Sequence, residues 1–171
     1  MTRMEKISNI SLIGMTGTGK TTLGRLLAIK TYRAFVDLDE VIVKTTGRTI
    51  PSIFAEEGES YFRDIETCEM KRLFEERGWL NGAVLSTGGG AVLREENRVI
   101  LRDNSQVIWL IRPTEKILES KDVLTRPPVN GDPDRYREIL QSRKPLYEAA
   151  AHIIIEYTDI SEAVERILSM I

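Results

Sequence analysis

Short runs of apolar residues alternate along the chain with longer stretches whose apolar positions recur at helical spacing. Residues 7–13 read as a buried strand and 21–32 as a helix, with Leu23, Leu26 and Leu27 in its turns. Residues 34–38 read as a second short strand. A helix over 39–46 stops at Gly47, a residue suited to a left-handed helix end. Residues 49–57 read as a short helix capped by Thr49 and ended by Gly58; 59–77 is a longer one ended by Gly78. The third strand, 83–86, is followed by Gly88-Gly89-Gly90. A helix over 95–103 precedes a fourth strand, 106–111, strongly β in composition. Another helix starts over 114–120 with Thr114 as its cap. The polar stretch 121–133, rich in Pro, Asp and Gly, reads as a long exposed loop of the kind that forms lids. A helix over 134–150 carries Pro145, which predicts a kink or a break. A fifth strand over 152–157 leads to a last helix reaching residue 170, capped by Asp159 or Ser161.

Strands alternating with helices predict an α/β fold, a parallel sheet with helices on both faces. The helices between the second and third strands, and the loop after the fourth, are insertions on that plan and are where substrate specificity would sit. A length of 171 residues suits one domain with a sizeable core. Lys plus Arg (24) nearly balances Asp plus Glu (26), and no long basic tail appears, which argues against broad binding to nucleic acid or anionic membrane. The longest apolar run, Val107 to Ile111, is far shorter than a membrane span. The first residues lack a signal-peptide pattern, so a reducing cytoplasm is the expected compartment. The single cysteine, Cys68, excludes an intrachain disulfide and a Cys-rich zinc site, and is expected to be buried or half-buried. The single histidine, His152, excludes His-pair metal motifs and reads as structural or surface.

The strongest motif is Gly14-Met15-Thr16-Gly17-Thr18-Gly19-Lys20-Thr21, which fits G-x-x-x-x-G-K-[ST] and lies between a strand and a helix. Its glycines let backbone N–H groups turn inward around phosphate oxygens, and the helix start adds partial positive charge. Lys20 can reach the β- and γ-phosphates of a nucleotide such as ATP, and the Thr21 hydroxyl can ligate Mg²⁺. Asp37-Leu38-Asp39 ends the second apolar run. On a strand, residues two apart share a face, so both carboxylates can aim at one site, one near Mg²⁺ and one accepting a proton from an attacking hydroxyl. The alternative is that Asp39 only caps the next helix and Asp37 is solvated.

Several blocks, in order, resemble the shikimate kinase family. They are the loop 14–22, Asp37-Leu38-Asp39, Thr46-Gly47-Arg48-Thr49-Ile50, Ile53-Phe54 and Glu57-Gly58-Glu59. Phe62-Arg63-Asp64-Ile65-Glu66, Leu85-Ser86-Thr87-Gly88-Gly89-Gly90, Arg126-Pro127 and Arg143-Lys144-Pro145-Leu146-Tyr147 follow. The resemblance spans nearly the whole chain. It implies a three-layer P-loop kinase fold with a five-stranded parallel sheet, a substrate-binding helical insertion at about 39–66 and a mobile lid at about 119–133. It implies ATP- and Mg²⁺-dependent phosphorylation of the 3-hydroxyl of shikimate in the aromatic amino-acid pathway, by a cytoplasmic enzyme, with a monomer favoured by size.

By motif match, Gly14, Thr16, Gly17, Thr18, Gly19, Lys20, Thr21 and Thr22 would hold the nucleotide, and Thr21 and Asp37 the metal ion. Asp39 would hold the reacting hydroxyl, with Lys20 and Arg126 completing the catalytic set. Arg63 and Arg143 would bind the acceptor carboxylate, whose geometry suits arginine's planar fork. Gly88, Gly89 and Gly90 would lie along the acceptor, and Arg126 would reach the phosphates as the lid closes. Phe54 and Phe62 read equally well as core or as acceptor wall, and Trp79 and Trp109 as packing residues.

The chain departs from the family pattern at Glu119, where many relatives carry an arginine against the adenine, and at Pro128 in the lid. The segment from Thr158 to Ser161, expected near the adenine, is short, and Arg112 stands where an acidic residue is frequent. A gluconate kinase on the same fold would share the loop and lid but gives no joint reason for Arg63, the glycine triplet and Arg143. A nucleotide-binding regulator without catalysis is the alternative outside enzymes.

Overall fold

Strand β1 (Asn9–Ile13) begins the computed structural model, which describes residues 9–75, 82–125 and 129–171. Helix α1 (Lys20–Lys30), strand β2 (Phe35–Asp37), helix α2 (Leu38–Thr46) and helix α3 (Ile50–Glu75) follow. Strand β3 (Val84–Ser86), a 3₁₀ turn at Ala91–Leu93, helix α4 (Glu95–Asn104) and strand β4 (Ser105–Ile111) come next. Two short helices, α5 (Thr114–Leu118) and α6 (Lys121–Leu124), lead to helix α7 (Pro133–Ala150), strand β5 (Ile153–Glu156) and helix α8 (Ile160–Leu168). The five strands pair in parallel in the order β2-β3-β1-β4-β5.

The central strands are apolar on both faces because helices cover both. In β4, Val107 and Trp109 pack to one side and Ile108 and Leu110 to the other. The first side is closed by Leu38 and Ile42 of α2, Ile53, Phe62 and Met70 of α3, Leu101 of α4, and Tyr136 and Tyr147 of α7. The second is closed by Leu23 and Leu27 of α1 and Val164 and Ile167 of α8. Gly24 lets α1 lie close to the sheet: a Cβ there would stand 2.7 Å from the Phe35 ring and 3.0 Å from Leu12. The register aligns Leu12 with Ser86, Ser86 with Asp37, and Ile13 with Trp109, so the loops that follow β1 to β4 leave one edge of the sheet together. In parallel sheets that edge is where ligands bind.

The expected elements are present with local corrections. The two helices expected at 49–57 and 59–77 are the two halves of α3, which break at Gly58, where φ 81° and ψ 173° are not helical; the second half ends at Glu75, and Thr49 Oγ1 accepts the Ser52 N–H at 3.3 Å. Residue Pro113, not Thr114, occupies the cap position of α5. The stretch 121–133 is not simply an exposed loop: it holds α6, buries Val123 and Val129, and gives Pro133 to the first turn of α7. Helix α7 runs through Pro145 to Ala150 without a break. Asp159, rather than Ser161, caps α8 by accepting the Glu162 N–H at 2.9 Å. Cys68, expected to be buried or half-buried, is exposed, although its neighbours Glu66, Thr67, Glu69 and Met70 on α3 are buried. The His152 ring is also exposed, with Nδ1 accepting the Val107 N–H at 3.0 Å. Arg77, Gly78, Trp79, Arg126, Pro127 and Pro128 lie outside the described residues.

Candidate active site

The loop after β1 turns on glycines at positive φ: Gly14 (144°), Gly17 (81°) and Gly19 (84°), the last being the residue from which α1 starts. Gly17 also has no room for a Cβ, which would stand 2.6 Å from both Ile117 and Val123. Lys20 opens α1, is buried, and donates from Nζ to the carbonyls of Gly14 and Met15, each at 2.8 Å. Thr18 Oγ1 donates to the Met15 carbonyl at 2.8 Å. The loop is therefore already wrapped around its own lysine.

The two acidic residues after β2 differ from the strand picture. Asp37 ends the strand and caps α2, its Oδ1 accepting the Asp39 N–H at 3.0 Å. Its Oδ2 accepts the Thr21 hydroxyl at 2.8 Å, which brings together the two residues expected at a metal ion. Asp39 sits in the first turn of α2 rather than on the strand. With Asp37 doing the capping, the Asp39 carboxylate is turned to the wall between two cavities.

One cavity, about 340 Å³, is lined by Thr16, Gly17, Gly19, Lys20, Thr21 and Thr22 of the loop and by Asp37 and Asp39. The other, about 400 Å³, holds Asp39, Arg63, Glu66, Gly88, Gly89, Gly90 and Arg143, with an apolar wall that includes Phe54, Phe62, Val129 and Ile139. Thr16, Asp39, Gly88 and Gly89 line both. Each residue expected to bind the acceptor thus lines one cavity. Phe54 and Phe62 serve as both core and wall, their rings 4.8 Å apart.

Arg63 is only 8% exposed. Its Nη1 donates to Glu66 Oε2 at 2.7 Å, and Nη2 and Nε donate to Glu59 Oε1 at 3.0 and 3.2 Å. Three of a guanidinium's five N–H groups are engaged, which leaves two for a ligand. Glu66 is fully buried, and its sequence position marks no role for it. Burial holds its carboxyl above the ordinary carboxylate range; Arg63 opposes that shift and Asp39 adds to it. The Glu66 Oε1 atom has no hydrogen-bond partner among the described residues.

The glycine triplet is closely hemmed in by its neighbours. A Cβ at Gly90 would overlap the Arg63 guanidinium, 2.5 Å from Cζ; one at Gly88 would stand 3.0 Å from Asp39 Oδ1; one at Gly89, 3.0 Å from the Thr16 nitrogen. Thr87 ties this turn to β1 by donating its N–H and its hydroxyl to the Leu12 carbonyl, at 3.2 and 3.0 Å. Helix α7 braces both loops: Tyr136 donates to the Thr16 carbonyl at 3.0 Å and Tyr147 to the Gly89 carbonyl. Burial pushes the Tyr147 phenol up to about 12, with Arg143 beside it pulling the other way. Tyr136 carries no sequence mark beyond apolar spacing on a helix, and Tyr147 is marked only as the last residue of a block that resembles the family.

A phosphate-cradling loop that shares a wall with a half-open cavity of small-molecule size defines a P-loop kinase acting on a small molecule. The chain belongs to the shikimate kinase family, whose sequence model matches residues 16–171. It is 42% identical over 154 residues to the shikimate kinase of Dictyoglomus turgidum, covering 87% of each chain. The solved shikimate kinase from Acinetobacter baumannii in complex with shikimate superposes with a TM-score of 0.88 at 38% identity, covering 97% of this chain and 93% of that one. A gluconokinase from Sinorhizobium meliloti, 14% identical with a TM-score of 0.59 over 96% of this chain and 91% of that one, shares the fold alone. ATP-dependent phosphotransfer follows from the family.

Proposed function

We infer that the chain carries out the reaction of its family, phosphorylation of shikimate by ATP in the aromatic pathway, with the 3-hydroxyl as acceptor and Asp39 as the residue that holds it. The observation that carries this reading is the position of Asp39 on the wall common to the phosphate cleft and the acceptor cavity. There its carboxylate can orient a hydroxyl toward the transferred phosphoryl group and take its proton. Arg63 and Arg143 bind the acceptor carboxylate, and the turn Gly88 to Gly90 lies along its ring. Lys20 exchanges its loop carbonyls for phosphate oxygens when the nucleotide enters. Arg126, in the lid, completes the phosphate contacts and excludes water that would otherwise take the phosphoryl group.

The donor set suits Mg²⁺. A hydroxyl and a carboxylate, Thr21 and Asp37, meet beside the loop, and a hard cation that keeps several waters needs few protein ligands when phosphates supply the rest. Thr21 would bind it directly and Asp37 through water; the ion would neutralise phosphate charge. The reading takes the chain as a cytoplasmic monomer that engages neither nucleic acid nor membrane. Among the described residues, no helix is long and apolar enough to cross a membrane.

The test is ADP release from Mg-ATP with shikimate, gluconate and nucleoside monophosphates as parallel acceptors. Release that depends on shikimate and is abolished by EDTA is expected. Release driven equally by gluconate, or none with shikimate while ADP still binds, would overturn the acceptor assignment.

A further inference from the structure

The structure assigns Arg112 to the nucleotide: from the end of β4 it meets the α-phosphate end of the phosphoryl donor and sets donor affinity. The inference rests on the phosphoryl-transfer reading above and adds a residue to it.

Arg112 follows Ile111, the last residue of β4, at the sheet edge that carries the site. It is half-buried and lines the phosphate cleft with the loop residues. Its Nε is shielded from solvent and has no hydrogen-bond partner among the described residues. Glu156 and Glu162 line an adjoining cavity with Arg112, yet neither is ion-paired to it. A buried donor without an acceptor is rare in native proteins. A guanidinium so placed, with a shielded Nε that no described residue accepts from, fits an acceptor that arrives from outside the chain.

The cleft itself says which acceptor. Asp37, Asp39, Thr87 and Gly88 line it from the β2 and β3 side, and Arg112, Lys116, Ile117, Ser120 and Ile160 from the β4 and β5 side. The loop after β1 lies between them, because β1 pairs with both β3 and β4. The transferred phosphoryl group must face Asp39, so the rest of the nucleotide extends the other way, past the loop toward Arg112. Phosphate oxygens match the guanidinium fork, and the apolar side chains of Ile117 and Ile160 suit the nucleoside beyond. Lys116, the other cation on that side, is exposed and leans toward Glu119 at 3.9 Å, which makes Arg112 the better held of the two.

The experiment compares the full chain with Arg112→Ala and Arg112→Lys. Binding of ADP and of pyrophosphate is titrated without acceptor, and KM is measured for ATP and for shikimate. In Arg112→Ala, ADP affinity is expected to fall about tenfold and KM for ATP to rise to match, the scale of one charge-assisted hydrogen bond. Pyrophosphate affinity and KM for shikimate stay within about twofold, and Arg112→Lys recovers part of the loss. Equal ADP binding by Arg112→Ala and the unaltered chain would overturn the inference. So would a parallel fall in ADP and pyrophosphate affinity, which would mark a residue that shapes the loop instead. ADP loss in Arg112→Ala alongside no shikimate-dependent release would sustain the inference and sink only the acceptor assignment. Failure of the unaltered chain to bind ADP would sink both.

Discussion

At the scale of single residues, the site depends on side chains that are absent as much as on those present. Gly90 leaves the space that the Arg63 guanidinium fills, and Gly88 the space in front of Asp39 and Glu66. Gly90→Ala should push Arg63 out of place. KM for shikimate is expected to rise about tenfold or more while KM for ATP stays within about twofold, by the loss of one charged contact. Steady-state kinetics with each substrate varied in turn would check the split; equal rises in both would contradict it. Asp39→Asn keeps the shape of the wall but removes the proton acceptor. A fall in kcat of roughly a hundredfold or more is expected, with ADP binding retained, on the usual scale of general-base catalysis. Unchanged turnover in that variant would remove Asp39 from its proposed role.

At the scale of elements, α7 has the widest reach. One stripe of this helix carries Tyr136 to the phosphate loop, Ile139 and Arg143 to the acceptor cavity, and Tyr147 to the glycine turn. The Tyr147 ring also stacks on Trp109 of β4, with centroids 5.5 Å apart. Removing one hydroxyl leaves the packing intact and isolates the brace. Tyr147→Phe is expected to cost about 1 kcal/mol, a fall in Tm of about 2–4 °C for a chain of this size. It should raise KM for shikimate more than KM for ATP, since its acceptor is the carbonyl of Gly89. Tyr136→Phe should do the reverse, because its acceptor belongs to the phosphate loop. Thermal melts with paired KM measurements would show whether the two variants diverge in this way.

At the scale of the whole molecule, the same burial that fixes α7 makes the fold sensitive to strong alkali. Tyr147 ionises near 10 in an unfolded chain but only at about 12 in the folded one, because burial disfavours the phenolate. Its contribution to stability is therefore fully present below pH 10 and is lost as pH rises toward 12, at about 1.4 kcal/mol per pH unit. Tyr136 is raised by burial as well and acts in the same direction. Denaturant midpoints measured at pH 8, 10 and 11 should fall over the last interval, and Tyr147→Phe should flatten that fall. An unaltered slope in the variant would contradict the assignment.

Much of this protein can be read directly from residue order. The glycines at positive φ in the phosphate loop, the stop at Gly47, the apolar run of β4 and the cap at Asp159 each follow from steric or hydrogen-bonding rules that act within a few residues. Strands alternating with helices then imply the parallel sheet, and the sheet implies the edge at which the loops meet. Tertiary structure decided whatever depends on segments distant in the chain. Asp37 caps α2 within two residues, but its second oxygen meets the Thr21 hydroxyl of α1 only because the folded chain brings β2 beside the phosphate loop. Arg63 is buried because Glu66 pairs with it and Gly90 leaves it room. Val123 and Val129, in a stretch that reads as loop, are drawn inward against the phosphate loop and the acceptor cavity. Helix α7 runs through Pro145 because packing against the sheet outweighs one lost backbone hydrogen bond. Local rules determine how each segment folds. Burial and pairing determine which side chains face one another, and those depend on contacts that no short window of sequence contains.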